Sequence, residues 1–326
     1  MGGDIINADV TMRIVFMGTP DFVVPVLEGI QAKGHQVVGV YTRPDRPAGR
    51  GRGITQPPIK QHAIEHNLAV FQPQNMRQGG LVEQMQSLKP EVAVVAAYGR
   101  ILPPEVLAVP PKGVLNLHPS LLPRYRGPAP VAAAILEGQT MTGVTIMLMD
   151  EGMDTGPILA QQATYIMPGE KVEQLTWRLF HLGAELLLDV LPRWEKGDII
   201  PVIQDETLAT STRLYTKGDG ETDWTLSASA IARRVRAFAP WPGCYTRWEG
   251  RTLKILEGVA IDNVDQGKAT PGEVISLPEG EPSPVAVATG EGLLCLVKVQ
   301  IEGRNAQSPE QFLQGYPRLV GARLPS

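Results

Sequence analysis

The sequence has few of the features that mark secreted, metal-binding or membrane proteins. Of its 326 residues only Cys244 and Cys295 are cysteine, which gives neither a disulfide framework nor the spacing of a metal site. No apolar run reaches the roughly 18 residues that a membrane-spanning helix needs. The opening MGGDIINADVT holds no Arg or Lys, unlike a signal or transit peptide. These absences predict a cytoplasmic protein in a reduced compartment, with no metal site and no membrane association.

The chain also lacks an excess of basic charge. Its net charge of −4 argues against a surface coated with cations for nucleic acid, although a local basic patch is compatible with an acidic total. Internal repeats and low-complexity tracts are absent as well. With 43% hydrophobic residues, a chain of 326 residues is long enough for about two domains that each have a core.

Short β-branched runs alternate with helix-length stretches in the N-terminal part of the chain. This alternation predicts an α/β domain with a Rossmann-like parallel sheet. The runs are almost continuously hydrophobic, which indicates strands that are buried on both faces. The predicted strands are RIVFM from Arg13, QVVGVY from Gln36, EVAVVAAY from Glu91, GVLNLH from Gly113 and TGVTIMLM from Thr142.

The first predicted strand is followed by GTPDF, in which Thr19 is placed to cap a helix that begins at Pro20. This segment lacks the second and third glycines of the dinucleotide-binding fingerprint. We therefore predict no nicotinamide or flavin site in this sheet.

A second, smaller domain is predicted in the C-terminal part. A helical pattern over Lys171–Trp194 closes the first domain, and short alternating strands broken by Gly and Pro follow Tyr215. Their spacing is typical of a small β-barrel or sandwich. The predicted organisation is an N-terminal extension over residues 1–12, a larger domain over residues 13–197, a linker over residues 198–214 and a barrel domain over residues 215–326.

A long Pro- and Gly-rich segment, TRPDRPAGRGRGITQPPIK, separates the second and third predicted strands. Such a segment is either functional or a solvated surface. Five cations against one acid, Asp45, favour contact with a phosphate backbone. The cations are Arg43, Arg46, Arg50, Arg52 and Lys60.

The strand VLNLH carries a polar pair on one face. Asn116 and His118 are two residues apart and share a face, while Leu115 and Leu117 point the other way. Asp154 lies just after the next predicted strand, so we expect it at the neighbouring strand end, where open α/β sheets bind ligands. An amide, an imidazole and a carboxylate together provide a donor, a titrating group and its orienting partner.

The same residues also have plainer interpretations. His118 alone would be a core histidine, and Asp154 alone would close an Asx turn between Gly152 and Gly156. The DTG at Asp154 is not an aspartic protease site, because that chemistry needs two carboxylates that share a proton. The segment His62–His66 matches the H-x-x-E-H zinc pattern, but so short a pattern often occurs by chance.

From about Arg13 to about Tyr316 the chain resembles the formyltetrahydrofolate-dependent transferase and hydrolase family. HPSLLPRYRG and DEGMDTG carry the resemblance as a pair. FMGTPDF, TRPDRPAGRG and RAFAPWPG narrow it to the methionyl-tRNA formyltransferases. STRLYTKGDGETDW departs from the usual linker sequence, and Arg100 in AAYGRIL replaces the common lysine.

The resemblance implies that the formyl group of 10-formyltetrahydrofolate passes to the amino group of methionyl initiator tRNA. It implies catalytic roles for Asn116, His118 and Asp154, and a second domain that is an OB-fold in contact with tRNA. The expected partners are methionyl initiator tRNA and folate, and the expected state is a monomer. The residues expected at the folate are Leu121, Leu122, Pro123 and Arg124, and those expected at the tRNA or its methionine are Phe22, Arg46, Arg50 and Arg52.

Other functions are also compatible with these residues. The same chemistry can serve a small amine, such as that of a nucleotide-sugar, or water in a formyltetrahydrofolate hydrolase. The arginine-rich segment favours tRNA, because those acceptors do not need it. A non-catalytic RNA-binding module is a further alternative, which a folate-binding assay would distinguish.

Overall fold

The computed structural model describes residues 11–48, 53–262 and 269–326. The chain divides into two compact units. The first contains the residues up to Pro130 with Met141–Tyr165 and Thr176–Thr212, and the second contains Val131–Thr140, Ile166–Leu175 and Arg213–Ser326. No helix within the described ranges is long and apolar enough to cross a membrane.

Nine strands and six α-helices precede residue 197 in the described part of the chain. The strands are β1 (Arg13–Gly18), β2 (Gln36–Tyr41), β3 (Arg46–Ala48), β4 (Gly53–Thr55), β5 (Val70–Phe71), β6 (Val92–Ala96), β7 (Val114–His118), β8 (Met141–Leu148) and β9 (Ile158–Tyr165). The helices are α1 (Val24–Ala32), α2 (Pro58–Glu65), α3 (Leu81–Ser87), α4 (Pro104–Leu107), α5 (Pro130–Leu136) and α6 (Val172–Lys196).

Seven of these strands form one sheet in the order β5-β2-β1-β6-β7-β8-β9. The first five strands in this order, β5, β2, β1, β6 and β7, are parallel to one another, which confirms the predicted Rossmann-like sheet. The strands β8 and β9 run antiparallel to their neighbours. The run TGVTIMLM does not reveal this direction, because a strand buried on both faces has the same pattern either way.

Alternate residues of each strand pack into two cores on opposite faces of the sheet. In β1, Ile14 joins the core formed with α1 and α6, and Val15 joins the core formed with α3. In β7, Leu115 and Leu117 lie in the first core and Val114 in the second. The period of two in the sequence therefore fixes which side chains of β7 face α1 and α6.

The loop after β1 differs from the prediction. A short 3-10 helix over Asp21–Val23 precedes α1, and Thr19 does not cap a helix. Its hydroxyl donates instead to the carbonyl oxygen of Tyr98 at 3.1 Å. Thr19 thus joins the loop after β1 to the loop after β6.

The second unit holds a five-stranded antiparallel sheet. Helix α7 begins where the Ser227 hydroxyl accepts a hydrogen bond from the backbone N–H of Ala230, as an N-cap does. The α/β fold followed by an OB-like β domain is confirmed. The elements are α7 (Ala228–Ala237), β10 (Cys244–Trp248), β11 (Arg251–Ile261), β12 (Val274–Ser276), β13 (Val285–Ala288), β14 (Leu293–Ile301) and α8 (Pro309–Gly315), with the strand order β10-β11-β14-β13-β12.

Candidate active site

Three polar side chains meet at the carboxyl end of β7. The Nδ2 atom of Asn116 donates to Oδ1 of Asp154 at 3.3 Å, and Nδ1 of His118 lies 3.5 Å from Oδ2 of the same carboxylate. The side chains of His118 and Asp154 are 5% and 15% exposed. Asn116 and His118 therefore lie on one face of β7, and the structure brings all three predicted site residues together.

Asp154 reaches this site through a loop and not from a neighbouring strand end. Because β8 is antiparallel to β7, its last residue, Leu148, lies opposite Leu115, and the expected placement at an adjacent strand end is wrong. The β8–β9 loop runs back toward His118, and Asp154 takes the left-handed conformation with φ of 56°. A Cβ atom on Gly156 would lie 1.8 Å from the Leu148 carbonyl oxygen, so this return requires glycine.

The carboxylate of Asp154 does not serve the turn of its own loop. The Asx turn belongs to Asp150, whose Oδ1 accepts from the N–H of Gly152 at 3.0 Å and the hydroxyl of Thr155 at 2.6 Å. Oδ2 of Asp154 instead accepts from the backbone N–H of Gly127 at 2.8 Å. Both carboxylate oxygens of Asp154 are thus held by groups outside the loop.

The His118 ring is held between a carbonyl and a carboxylate. Its Nε2 lies 3.0 Å from the Tyr125 carbonyl oxygen, which only accepts hydrogen bonds, so we assign the ring proton to Nε2. Burial lowers the pKa of the imidazole below its ordinary value, while Asp154 and the Tyr125 carbonyl offset part of that shift. The neutral ring then presents the Nδ1 lone pair toward Asp154.

The segment predicted to bind folate, residues 121–124, has its backbone held by hydrogen bonds to side chains of β8 and β9. The N–H of Leu122 donates to Oγ1 of Thr145 at 3.1 Å, and its carbonyl accepts from Nε2 of Gln161 at 2.8 Å. Because these backbone groups are already paired, the segment presents mainly apolar side chains to a ligand. Leu122 is buried, Leu121 and Pro123 are half-buried, and Arg124 is exposed.

Residues 198–212, which the sequence pattern assigns to a linker, belong to the first unit and contact the site. The Gln204 amide nitrogen donates to the carbonyls of Asp154 at 2.8 Å and Gly156 at 2.7 Å. Its oxygen accepts from Nε and Nη2 of Arg126 at 3.0 and 2.9 Å. Arg126 also forms a two-point ion pair with Glu206 at 2.9 and 2.7 Å. This network was not predicted from the sequence, in which its only local signal is the polar triplet QDE.

The residues predicted to contact tRNA fall in different places. The Phe22 ring packs on Phe180 and Trp177, with centroid separations of 4.7 and 6.4 Å, and so belongs to an aromatic cluster of the first unit. Arg46 is exposed on β3, which pairs with β4 as a hairpin. Arg50 and Arg52 lie outside the described residues.

The H-x-x-E-H segment shows no arrangement for a metal. The rings of His62 and His66 stack on each other with 4.0 Å between their centroids. No group of three or more His, Cys, Asp or Glu side chains in the described ranges is placed to hold an ion.

A second polar cluster, here named the arginine pocket, lies at the same edge of the sheet. Arg43 follows β2, Arg100 follows β6, and Arg77 joins them around an opening of about 600 Å³. None of the described residues that line it is Asp or Glu. The Nε atoms of Arg43 and Arg100 are buried and have no hydrogen-bond partner in the described part of the chain. With three guanidinium groups and no acidic side chain among its described lining residues, the arginine pocket suits an anion.

Comparisons with known proteins show the family to which the chain is similar. A family model described as formyl transferase matches residues 12–191, and one described as formyl transferase, C-terminal domain, matches residues 215–317. A protein of Chloroflexus aurantiacus named methionyl-tRNA formyltransferase is 51% identical over 304 residues, which cover 93% of this chain and 97% of that protein. One of Roseiflexus sp. with the same name is 46% identical, over 96% of this chain and 95% of its own.

Solved structures share the fold at lower identity. An N-formyltransferase of Helicobacter canadensis, solved with folinic acid and dTDP-3-aminofucose, matches with a TM-score of 0.64 and 17% identity over 88% of this chain and 99% of its own. HypX of Aquifex aeolicus, solved with tetrahydrofolic acid, matches with a TM-score of 0.64 and 18% identity over 95% of this chain. The chain spans about half the length of that protein, 48%. The chain belongs to the formyl transferase family, among the proteins named methionyl-tRNA formyltransferase.

Proposed function

We propose that the chain transfers the formyl group of 10-formyltetrahydrofolate to the amino group of methionyl initiator tRNA. The observation that carries this proposal is 51% identity, over 93% of the chain, to a protein named for that reaction. The products are N-formylmethionyl-tRNA, which serves translation initiation, and tetrahydrofolate. The residues at the end of β7 supply the groups that such a transfer needs.

The reaction exchanges one carbon–nitrogen bond for another. The methionine amine attacks the formyl carbon, a new C–N bond forms, and the bond between that carbon and N10 of the folate breaks. Negative charge grows on the formyl oxygen during the attack. The Asn116 amide has two N–H donors, one directed to Asp154 and one left for this oxygen.

The proton of the attacking amine passes to His118 in this proposal. A neutral imidazole has a lone pair at Nδ1, and the carboxylate of Asp154 at 3.5 Å stabilises the imidazolium that forms there. The proton then goes to N10 as the tetrahydrofolate leaves. His118 and Asn116 act on the reacting atoms, and Asp154 orients both side chains.

The formyl donor carries its carboxylates at the end opposite the pterin, and the arginine pocket provides cations for them. The arginine pocket follows β6, the neighbour of β7, and β2, which lies three strands from β7. Strands lie about 4.8 Å apart, so the two clusters are separated by no more than roughly 15 Å along the sheet edge. We infer that residues 121–124 hold the pterin end and that Arg43, Arg77 and Arg100 hold the carboxylate end.

The tRNA is bound, in this proposal, by the arginine-rich segment and the OB-like domain. Arg46, Arg50 and Arg52 would meet phosphates, and Phe22 would border the methionine side chain. We further infer that the protein acts as a monomer in the cytoplasm. Its domains would be those predicted at residues 13–197 and 215–326, after an extension over residues 1–12, with the first domain continuing past residue 197 to Thr212.

The direct test supplies purified chain with 10-formyltetrahydrofolate and charged initiator tRNA, and measures formyl groups on methionyl-tRNA. Uncharged initiator tRNA, which lacks the amine, is the control. Formate release without transfer would support the hydrolase instead. Transfer to a nucleotide-sugar amine but not to methionyl-tRNA would support the small-amine alternative.

A further inference from the structure

Gln204 makes four hydrogen bonds from a site that is 5% exposed. Its nitrogen donates to two carbonyls, and its oxygen accepts from one guanidinium group. The opposite orientation of the amide would place an oxygen against carbonyl oxygens and a nitrogen against the donors of Arg126. The network therefore fixes the side chain in one orientation, with every polar group of the amide paired.

The two carbonyls that Gln204 binds belong to Asp154 and Gly156, on either side of Thr155. Asp154 holds a positive φ of 56°, a conformation that costs free energy for any residue with a side chain. Two hydrogen bonds to this short stretch stabilise the conformation. They also fix the direction in which the Asp154 carboxylate leaves the backbone.

Arg126 connects the same network to His118. The residue before it, Tyr125, places its carbonyl 3.0 Å from the His118 ring, and the residue after it, Gly127, donates its N–H to Asp154 at 2.8 Å. The backbone of Arg126 is itself paired with residues 210–212, through bonds of 2.8 Å from its N–H to Thr210 and 2.7 Å to its carbonyl from Thr212. Residues 204–212 thus form hydrogen bonds to both segments that border His118, residues 125–127 and residues 154–156.

We propose that Gln204 and Arg126 are positioning residues for the Asp154–His118 pair, so that residues 204–212 form part of the active site and not only a connection between domains. The side chains themselves do not touch the reacting atoms. Their effect on catalysis passes through the carboxylate of Asp154 and the Tyr125 carbonyl. This inference rests on the proposed function, in which that pair moves the proton of the amine.

The first experiment replaces Gln204 with methionine, which keeps its length and adds no charge. We expect Gln204→Met to lower kcat by about tenfold or more, because small displacements of a reacting group are costly. The KM values for tRNA and for the formyl donor should stay within about twofold of the parent, because neither binding region is changed. Gln36→Met is the matched control, since the Gln36 oxygen also accepts from a guanidinium group, Nη1 of Arg13 at 2.7 Å, but lies at the amino end of β2.

The second measurement is the pKa of His118, followed by NMR in the full chain and identified among the five histidines by its absence in His118→Ala. Asp154 is the charged group that faces the ring, the Tyr125 carbonyl faces it from residues 119–129, and Asn116 lies beside it on β7. The carboxylate raises the pKa of His118, so its displacement in Gln204→Met should lower that pKa further. This readout does not depend on the acceptor, and it tests the inference even if the chain formylates another amine.

A double-mutant cycle with Asp154→Asn separates positioning from mere stabilisation of the fold. If Gln204 acts through Asp154, Gln204→Met should cost little further activity once Asp154 is asparagine. Additive losses in the cycle would overturn the proposal, as would an unchanged pKa of His118. Loss of activity with both of those results would show only that Gln204 stabilises the fold.

Glu206→Gln keeps the test available if Gln204→Met does not fold. Glu206 pairs with Arg126 but is 70% exposed, so its substitution leaves the core intact. We expect a smaller fall in kcat, about threefold, with the pKa of His118 displaced in the same direction. Parent-like values of both would count against Arg126 as a positioning residue.

Discussion

Two clusters at one edge of the same sheet differ in almost every physical respect. The site at β7 is buried, and the carboxylate and amide there are paired with each other or with the backbone. The arginine pocket is open, carries three guanidinium groups, and leaves the buried Nε atoms of Arg43 and Arg100 without partners in the described ranges. Burial, together with Arg46 and Arg100, lowers the pKa of Arg43.

The difference reflects two kinds of work. A group that moves a proton must already be in place, and the dense hydrogen bonding around Asp154 provides that order. A group that holds a charged end of a ligand is completed by the ligand, so unpaired donors are tolerated before it binds. On this view, substitutions in the first cluster change kcat and substitutions in the second change KM.

The largest effect is expected at the end of β7. Asn116→Ala and His118→Ala should each lower kcat by about a hundredfold or more, the scale of losing an oxyanion donor or a general base. Steady-state kinetics with charged initiator tRNA measure the loss, and unchanged far-UV circular dichroism shows that the variants fold. Near-normal turnover of either folded variant would remove that residue from the chemistry.

Asp154→Asn should have the next largest effect and should move the pH profile. The Asp154 carboxylate raises the pKa of His118 against the effect of burial, so removing its charge lowers that pKa further. The neutral imidazole then persists to lower pH, so the acid limb of the kcat profile shifts to lower pH. The maximum of kcat should fall by a factor on the order of 10 to 100. A pH profile identical to that of the parent would reduce Asp154 to a structural residue.

Substitutions in the arginine pocket should change KM and not kcat. The double variant Arg77→Gln with Arg100→Gln should raise the KM for 10-formyltetrahydrofolate about tenfold and leave kcat nearly unchanged, because two charged contacts are lost outside the reacting groups. Arg193→Gln is the matched control, since Arg193 is 52% exposed and pairs with Asp189 on α6. An unchanged donor KM together with a raised tRNA KM would reassign the arginine pocket to the nucleic acid.

The smallest effect is expected in the arginine-rich segment. Arg46→Ala and Arg50→Ala should each raise the tRNA KM a few-fold and reduce the slope of log affinity against log salt by somewhat under one unit, about 0.9. Folate affinity should not change. Equal salt dependence in parent and variants would indicate a solvated surface, and would remove the charge of this segment as an argument for a tRNA acceptor.

The parts of the site that lie within one strand could be predicted from sequence. The period of two places Asn116 and His118 on one face of β7. In the structure both side chains lie against the carboxylate of Asp154. The β-branched runs that alternate with helix-length stretches likewise predicted the parallel strands β1, β2, β6 and β7. In these cases a local pattern determines the geometry, so a single sequence contains the answer.

The parts that depend on contacts distant in sequence could not be predicted in the same way. The direction of β8 leaves no mark in its hydrophobic pattern, and the path of Asp154 follows from that direction. Gln204 lies 50 residues from Asp154 and 78 from Arg126. Arg43 and Arg100 did carry a signal, since each follows a predicted parallel strand and such strand ends meet at one edge.

The different roles of the two clusters are tested most directly by the rate of the first turnover, measured by rapid quench with both charged initiator tRNA and formyl donor saturating. Under these conditions binding no longer limits the rate, and only the chemical step is measured. We expect His118→Ala to be slower than the parent by about a hundredfold or more, and Arg77→Gln with Arg100→Gln to match the parent rate. A parent-like rate for His118→Ala, or an equal loss in the arginine variant, would contradict the account.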